Sequence, residues 1–207
     1  MRTKRIIGLM AAAIVAMCMM SAQAYLRYGF TFGGSFATPQ LSDAPGWTIT
    51  HGSGFRGGLM LEYQWEEKGW AVSGAVLYNR YNAKLKGAGT ELQQPVCHAI
   101  GRDFLDIPLH AAYKFWIGQT RLWGPMVYTG PALTVGLNSA GHCPVFTQRR
   151  AQAGWDVGVG IDAVNFLQIK AGYRFGLTNA VGDFAGHPDA SMRFSGWHVS
   201  ASLLFQF

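Results

Sequence analysis

Charge is scarce in this chain. Only 14% of its 207 residues are Asp, Glu, Lys or Arg, against roughly 25% in an ordinary soluble domain, which argues against both disorder and a water-solvated exterior. Cysteine is also rare, at 3 residues, too few for a disulfide-framed miniprotein. The formal charge of +6 is no phosphate-binding face, because Arg2, Lys4 and Arg5 stand together at the start and the remaining basic residues are scattered. Nucleic acid is therefore not an expected partner. After residue 24 no apolar run approaches the 18 residues of a membrane helix. What is abundant is glycine, at 27 residues, and aromatic side chains, at 14%, a composition that favours strands.

The first block reads as a leader. Met1–Arg5 is basic, Ile6–Met20 is continuously apolar, and Ala22-Gln23-Ala24 is a small-x-small cleavage pattern. Residues 1–24 are expected to be a cleaved signal peptide, and residues 25–207 a single exported domain.

That domain alternates. Leu26, Tyr28, Phe30, Phe32 and Phe36 oppose Arg27, Gly29, Thr31, Gly33 and Ser35, and a period of two is the mark of a strand with unlike faces. The pattern recurs near residues 55–65, 70–79, 105–115, 123–137, 155–162, 167–177 and 197–207. The fifth strand, with Pro125 and Pro131, has the weakest signal. The polar faces hold glycine and serine with little charge, unlike the wet side of a sandwich. Aromatics gather near the strand ends of the apolar faces in two sets: Tyr63, Trp65, Trp70, Phe115, Trp123 and Phe205, then Phe36, Phe55, Tyr78, Trp155, Phe175 and Trp197. Short links at 66–69, 116–121 and 163–166 alternate with long ones at 38–54, 82–103, 138–153 and 179–193. Girdles of aromatics and turns that alternate short and long are the pattern of a transmembrane barrel. The expected fold is all-β: an eight-stranded antiparallel up-and-down transmembrane β-barrel, closed so that no strand edge meets hydrocarbon.

Residues 25–207 resemble the eight-stranded outer-membrane barrel domain common in Bacteroidetes, porin-family or PorT-like, with an architecture similar to OmpA and OmpX. The segments that carry the likeness are IPLHAAYKF (Ile107–Phe115), GPALTVG (Gly130–Gly136), AGYRFGLTN (Ala171–Asn179) and the terminal LLFQF. The resemblance implies the bacterial outer membrane, contact with lipid and lipopolysaccharide, and recognition by the barrel-assembly machinery through Phe205 and Phe207, although Ser202 stands where that signal usually has glycine. It also implies secretion or gliding machinery as a class of protein partner at the loops.

The inward faces carry Arg27, Arg56, Lys114, Lys170 and Arg174 against Glu62, Glu66, Asp106, Asp156 and Asp162, with His110 and His198. Side chains alone can fill a bore of eight strands, and balanced charges are expected to pair there and plug it. A hairpin that keeps both faces in phase sets Asp156 opposite Arg174. Polar groups at membrane depth also admit an ion path, so the alternative to a plugged barrel working through its loops is a narrow porin-like channel.

Cys97 and Cys143 fall in long loops on one side, and an oxidising compartment makes a disulfide the natural reading. Cys97-His98 and His142-Cys143 offer zinc ligands instead, but adjacent residues in extended chain point opposite ways. His198-Val199-Ser200 resembles the His-x-Ser of barrel lipid A deacylases, yet no acid follows Asp189 to orient the histidine. No enzyme activity, cofactor or metal is expected. Arg149 and Arg150, with Gln148 and Gln152, read as a solvated loop tip able to meet lipopolysaccharide phosphates.

Overall fold

The computed structural model describes residues 24–42, 47–49, 51–65, 69–82, 85–87, 102–117, 122–137, 146–164, 166–184 and 191–206. The leader, Glu66, Cys97, Cys143, the histidines beside those cysteines, and Phe207 lie outside them. All regular elements among the described residues are strands: β1 (Ala24–Ser42), β2 (Trp47–Ile49), β3 (Gly52–Trp65), β4 (Trp70–Asn82), β5 (Leu85–Gly87), β6 (Arg102–Lys114), β7 (Trp123–Gly136), β8 (Phe146–Gln148), β9 (Ala151–Ala163), β10 (Leu167–Gly176), β11 (Val181–Phe184) and β12 (Ser191–Gln206).

Eight of them close into a barrel in the order β1-β12-β10-β9-β7-β6-β4-β3, every pair antiparallel. A circuit of cross-strand partners that leaves β1 at Tyr25 runs through Gln64, Ala71, Ala112, Tyr128, Gly158, Gly172 and His198 and returns to β1 at Ser35. That stagger tilts the strands and sets the width of the bore.

Burial is inverted relative to a soluble protein. Phe32, Leu59, Val159 and Trp197 on the outer face are about 60% exposed, while the largest fully buried side chains include Arg27, Lys114, Gln64, Gln168, Glu62 and Asn79. Only a solvent of hydrocarbon makes such an exterior favourable. At the short-turn end Tyr113 meets Trp70 and Phe115 edge-on, with centroids at 5.1 and 4.9 Å. At the other end Tyr173 meets Trp197 and Phe175 at 5.1 and 4.8 Å.

The fifth strand forms as expected, while the expectations for the long links need correction. β7 is one continuous strand, and Pro125 and Pro131 stay in register with Ile161 and Trp155 of β9; the missing N–H groups instead interrupt the β6 pairings around Pro108 and Pro131. The long links are shorter than their apolar pattern implies, because β1 and β12 continue pairing up to Ser42 and Ser191, beyond the height at which an outward face needs lipid-compatible residues. The rest of these links is not uniformly irregular. β2 pairs with β5 and β8 with β11, which joins the first long loop to the second and the third to the fourth. Arg149 and Arg150 accordingly lie at the foot of the third extension, where the Arg149 N–H donates to the Ala180 carbonyl at 2.8 Å and the Arg150 carbonyl accepts from Gly136 at 2.7 Å, with both residues exposed.

Candidate functional site

Of the twelve inward titratable residues singled out above, Glu66 lies outside the described residues and the other eleven face the bore. Arg27, Arg56, Glu62, Asp106, His110, Lys114, Asp156, Asp162 and Lys170 are at most 7% exposed, and the Arg174 side chain is 11% exposed. Apart from Arg56 and Lys170, the charged ones sort into two layers separated by an aromatic and imidazole group.

The layer at the short-turn end draws on four different parts of the wall. Arg27 of β1 lies across the strand pair from Glu62 of β3 and donates to it through Nε at 3.1 Å and through Nη2. The same guanidinium spans to Asp162 of β9 through Nη1 at 3.2 Å and through Nη2. Lys114 of β6 closes the square: its Nζ donates to Glu62 Oε1 at 2.5 Å, Asp162 Oδ2 at 2.6 Å and Gln64 Oε1 at 2.8 Å. Gln168 donates to Glu62 Oε2 at 2.9 Å. Two cations alternating with two carboxylates leave each charge compensated in a region without bulk water, the condition under which a buried ion pair is tolerable. Local backbone holds Lys114 in place: Gly69, at φ +68°, accepts the Lys114 N–H at 2.7 Å, and a Cβ there would lie 2.5 Å from the Lys114 carbonyl oxygen.

The second layer centres on Arg174. It stands opposite Asp156 in the β9–β10 register and donates to that carboxylate from Nε at 2.6 Å and Nη2 at 2.9 Å, while Nη1 lies 3.0 Å from Asp106. Asp106 also accepts from Thr134 at 2.5 Å and Asn79 at 2.8 Å, and His110 Nε2 lies 3.1 Å from Asp156.

Between the layers Tyr128 spans the bore. Its hydroxyl is 3.0 Å from His198 Nε2, its ring centroid lies 4.8 Å from that of His110, and the Lys170 ammonium sits 5.4 Å over its ring. The tyrosine lies over glycines: a Cβ on Gly172 or Gly158 would come within 2.3 or 2.5 Å of its hydroxyl oxygen. His198 and Ser200 are thus buried in the bore, at 4% and 7% exposed, with the imidazole engaged by a phenol.

Two cavities occupy what remains. One lies toward the long-loop end, against Tyr81, Gln152, Arg174 and Ser195. The other lies lower, against Thr31, His110, Lys170 and Ser202. Arg56 and His198 line both.

The partners Gln64, Gln168, Asn79, Thr134 and Tyr128 were absent from the charge network expected above. Alternation marks each as inward; what joins it to a particular carboxylate is the stagger of the strands.

Comparison with known proteins agrees with this geometry. Residues 20–182 match the family model described as outer membrane protein beta-barrel domain. Among solved structures, OprG from Pseudomonas aeruginosa is 15% identical, with 89% of this chain and 95% of that chain covered and a TM-score of 0.56. Neisserial surface protein A is 16% identical over 89% of this chain and 98% of its own, with a TM-score of 0.44. Ail of Yersinia pestis is 15% identical over 86% and 98%, with a TM-score of 0.40. No curated protein sequence matches. A closed eight-stranded barrel with an apolar exterior and a buried ionic interior, matched over most of its length by this model, belongs to the outer membrane protein beta-barrel domain family and resides in the bacterial outer membrane.

Proposed function

We propose that the protein acts through the crown formed by its long loops, as an envelope-structural component or as the docking face for a surface or secretion partner, over a bore that stays shut. The observation that carries this reading is the Arg27–Glu62–Lys114–Asp162 layer, whose four side chains are 0 or 1% exposed and come from β1, β3, β6 and β9. Four groups drawn from around the wall of a narrow barrel fill its cross-section with paired charge, which supports a shut bore. In barrels of this type the long loops face outward from the cell, so the β2–β5 and β8–β11 sheets stand at the cell surface. A Cys97–Cys143 disulfide links the second loop to the third, and therefore one small sheet to the other, in an oxidising compartment. Exposed Arg149 and Arg150 offer bidentate contacts to lipopolysaccharide phosphates, and Phe205, 48% exposed on the outer face, serves with Phe207 as the assembly signal. With His198 held by Tyr128 inside the bore, the reading is non-enzymatic.

A narrow channel is the second reading, favoured by the two cavities that meet at Arg56 and His198 above the charge layer.

The experiment is complementation of a deletion strain by a crownless barrel in which β2, β5, β8, β11 and their flanking loops are replaced by short turns. The variant should insert and keep its heat-dependent gel shift while failing to restore the envelope phenotype; full restoration contradicts the proposal.

A further inference from the structure

Among the described residues, two cations of the lumen lack an acidic partner. Among the described residues the bore contains five cations, Arg27, Arg56, Lys114, Lys170 and Arg174, and four carboxylates, Glu62, Asp106, Asp156 and Asp162. All four carboxylates are engaged by Arg27, Lys114 or Arg174. Arg56 and Lys170, each 5% exposed, make no ion pair among the described residues, and the Arg56 Nε is buried without a hydrogen-bond partner.

One ladder of cross-strand partners links these two cations, and both line one cavity. Arg56 of β3 pairs with Gly33 of β1, Gly33 pairs with Ser200 of β12, and Ser200 pairs with Lys170 of β10. Glycine contributes no side chain to the interval and serine only a hydroxymethyl, so the wall between the cations is recessed. The lower cavity lies there, bordered by Arg56, Lys170, Thr31, Ser73, Ser200 and Ser202, and among the described residues no carboxylate lines it.

We propose that this recess binds one small monovalent inorganic anion, of halide size, between Arg56 and Lys170. Desolvating a cation without a counter-charge is costly, and a negative ion between Arg56 and Lys170 supplies the counter-charge that the described acids do not. Hydroxyl groups supply the remaining donors that such an ion needs once stripped of water. The site is independent of what the loops bind, and its test does not read loop function.

The full mature chain is refolded in detergent and its thermal unfolding followed by the gel shift while bromide replaces gluconate at constant ionic strength. A saturable rise of the unfolding midpoint with bromide is expected, because an anion bound only by the folded state stabilises it by mass action. Arg56→Gln and Lys170→Met should each lose that rise while still folding in gluconate. A native midpoint equal in bromide and gluconate, or a bromide response that survives both substitutions, overturns the proposal. Crystals of the native protein grown in bromide decide the matter if the variants do not fold: an anomalous peak between the two side chains supports the site, and a map without one there overturns it.

Discussion

Arg174 and Asp156 face each other across the β9–β10 pair, and the guanidinium forks onto the carboxylate at 2.6 and 2.9 Å. Its Nη1 reaches a second carboxylate, Asp106, at 3.0 Å. Replacing Arg174 with Met strands both acids in the bore, and removing one partner of a buried pair costs about 3–5 kcal/mol. Asp156→Asn removes one of the stranded charges, so the double variant should be more stable than the sum of the single losses by about 1 kcal/mol or more. Urea unfolding followed by the gel shift measures the cycle; strict additivity would show that the two residues are not coupled.

Tyr128 depends on the absence of a side chain beneath it. Gly172→Ala places a Cβ 2.3 Å from the Tyr128 hydroxyl oxygen and 2.8 Å from the Val157 carbonyl oxygen, contacts that only a backbone shift can relieve. The expected cost is about 1–3 kcal/mol, together with loss of the Tyr128–His198 hydrogen bond. The imidazole resonances of His198 report that loss, and an unchanged spectrum would exclude the proposed contact.

How much of this was legible in the sequence follows from what each feature depends on. The barrel strands are readable because lipid outside and charge inside force a period of two, and even Pro125 and Pro131 leave the alternation around Val127 and Leu133 intact. The Asp156–Arg174 pair is readable because it joins neighbouring strands through a short turn. The division of the charges into two layers is not, because Lys114 of β6 and Asp162 of β9 meet across the lumen and their relative height is set by the stagger around the whole circuit. The same holds for Arg56 and Lys170, whose connecting ladder passes through Gly33 and Ser200. The pairs β2–β5 and β8–β11 were missed because strands of three or four residues above the membrane carry no lipid-facing alternation.

A bridge between Cys97 and Cys143 predicts that neither thiol reacts with maleimide in the oxidised, folded protein and that both react after reductant. Labelling without reductant would exclude the bridge, and retention of the gel shift after reduction would place its contribution in the crown.

The turn from β9 to β10 holds Val164 at φ 49°, a left-handed conformation that a β-branched side chain adopts at a cost of about 1–2 kcal/mol. Its N–H donates to the Leu122 carbonyl at 2.8 Å, a bond that any residue other than proline keeps. Val164→Asn should therefore raise stability by up to about 1 kcal/mol, seen as a higher urea midpoint. A lower midpoint would mean that the exposed valine side chain makes contacts worth more than the strain.

The central claim is that the Arg27–Glu62–Lys114–Asp162 layer shuts the bore. Single-channel conductance of the refolded mature chain in a planar bilayer, on protein shown by its gel shift to be folded, tests it most directly. The native protein should show no stable steps, while Lys114→Ala, which removes the side chain that reaches both carboxylates, should open steps of uniform size. Stable steps in the native protein, unchanged by Lys114→Ala, would contradict the account and make the bore a transport path.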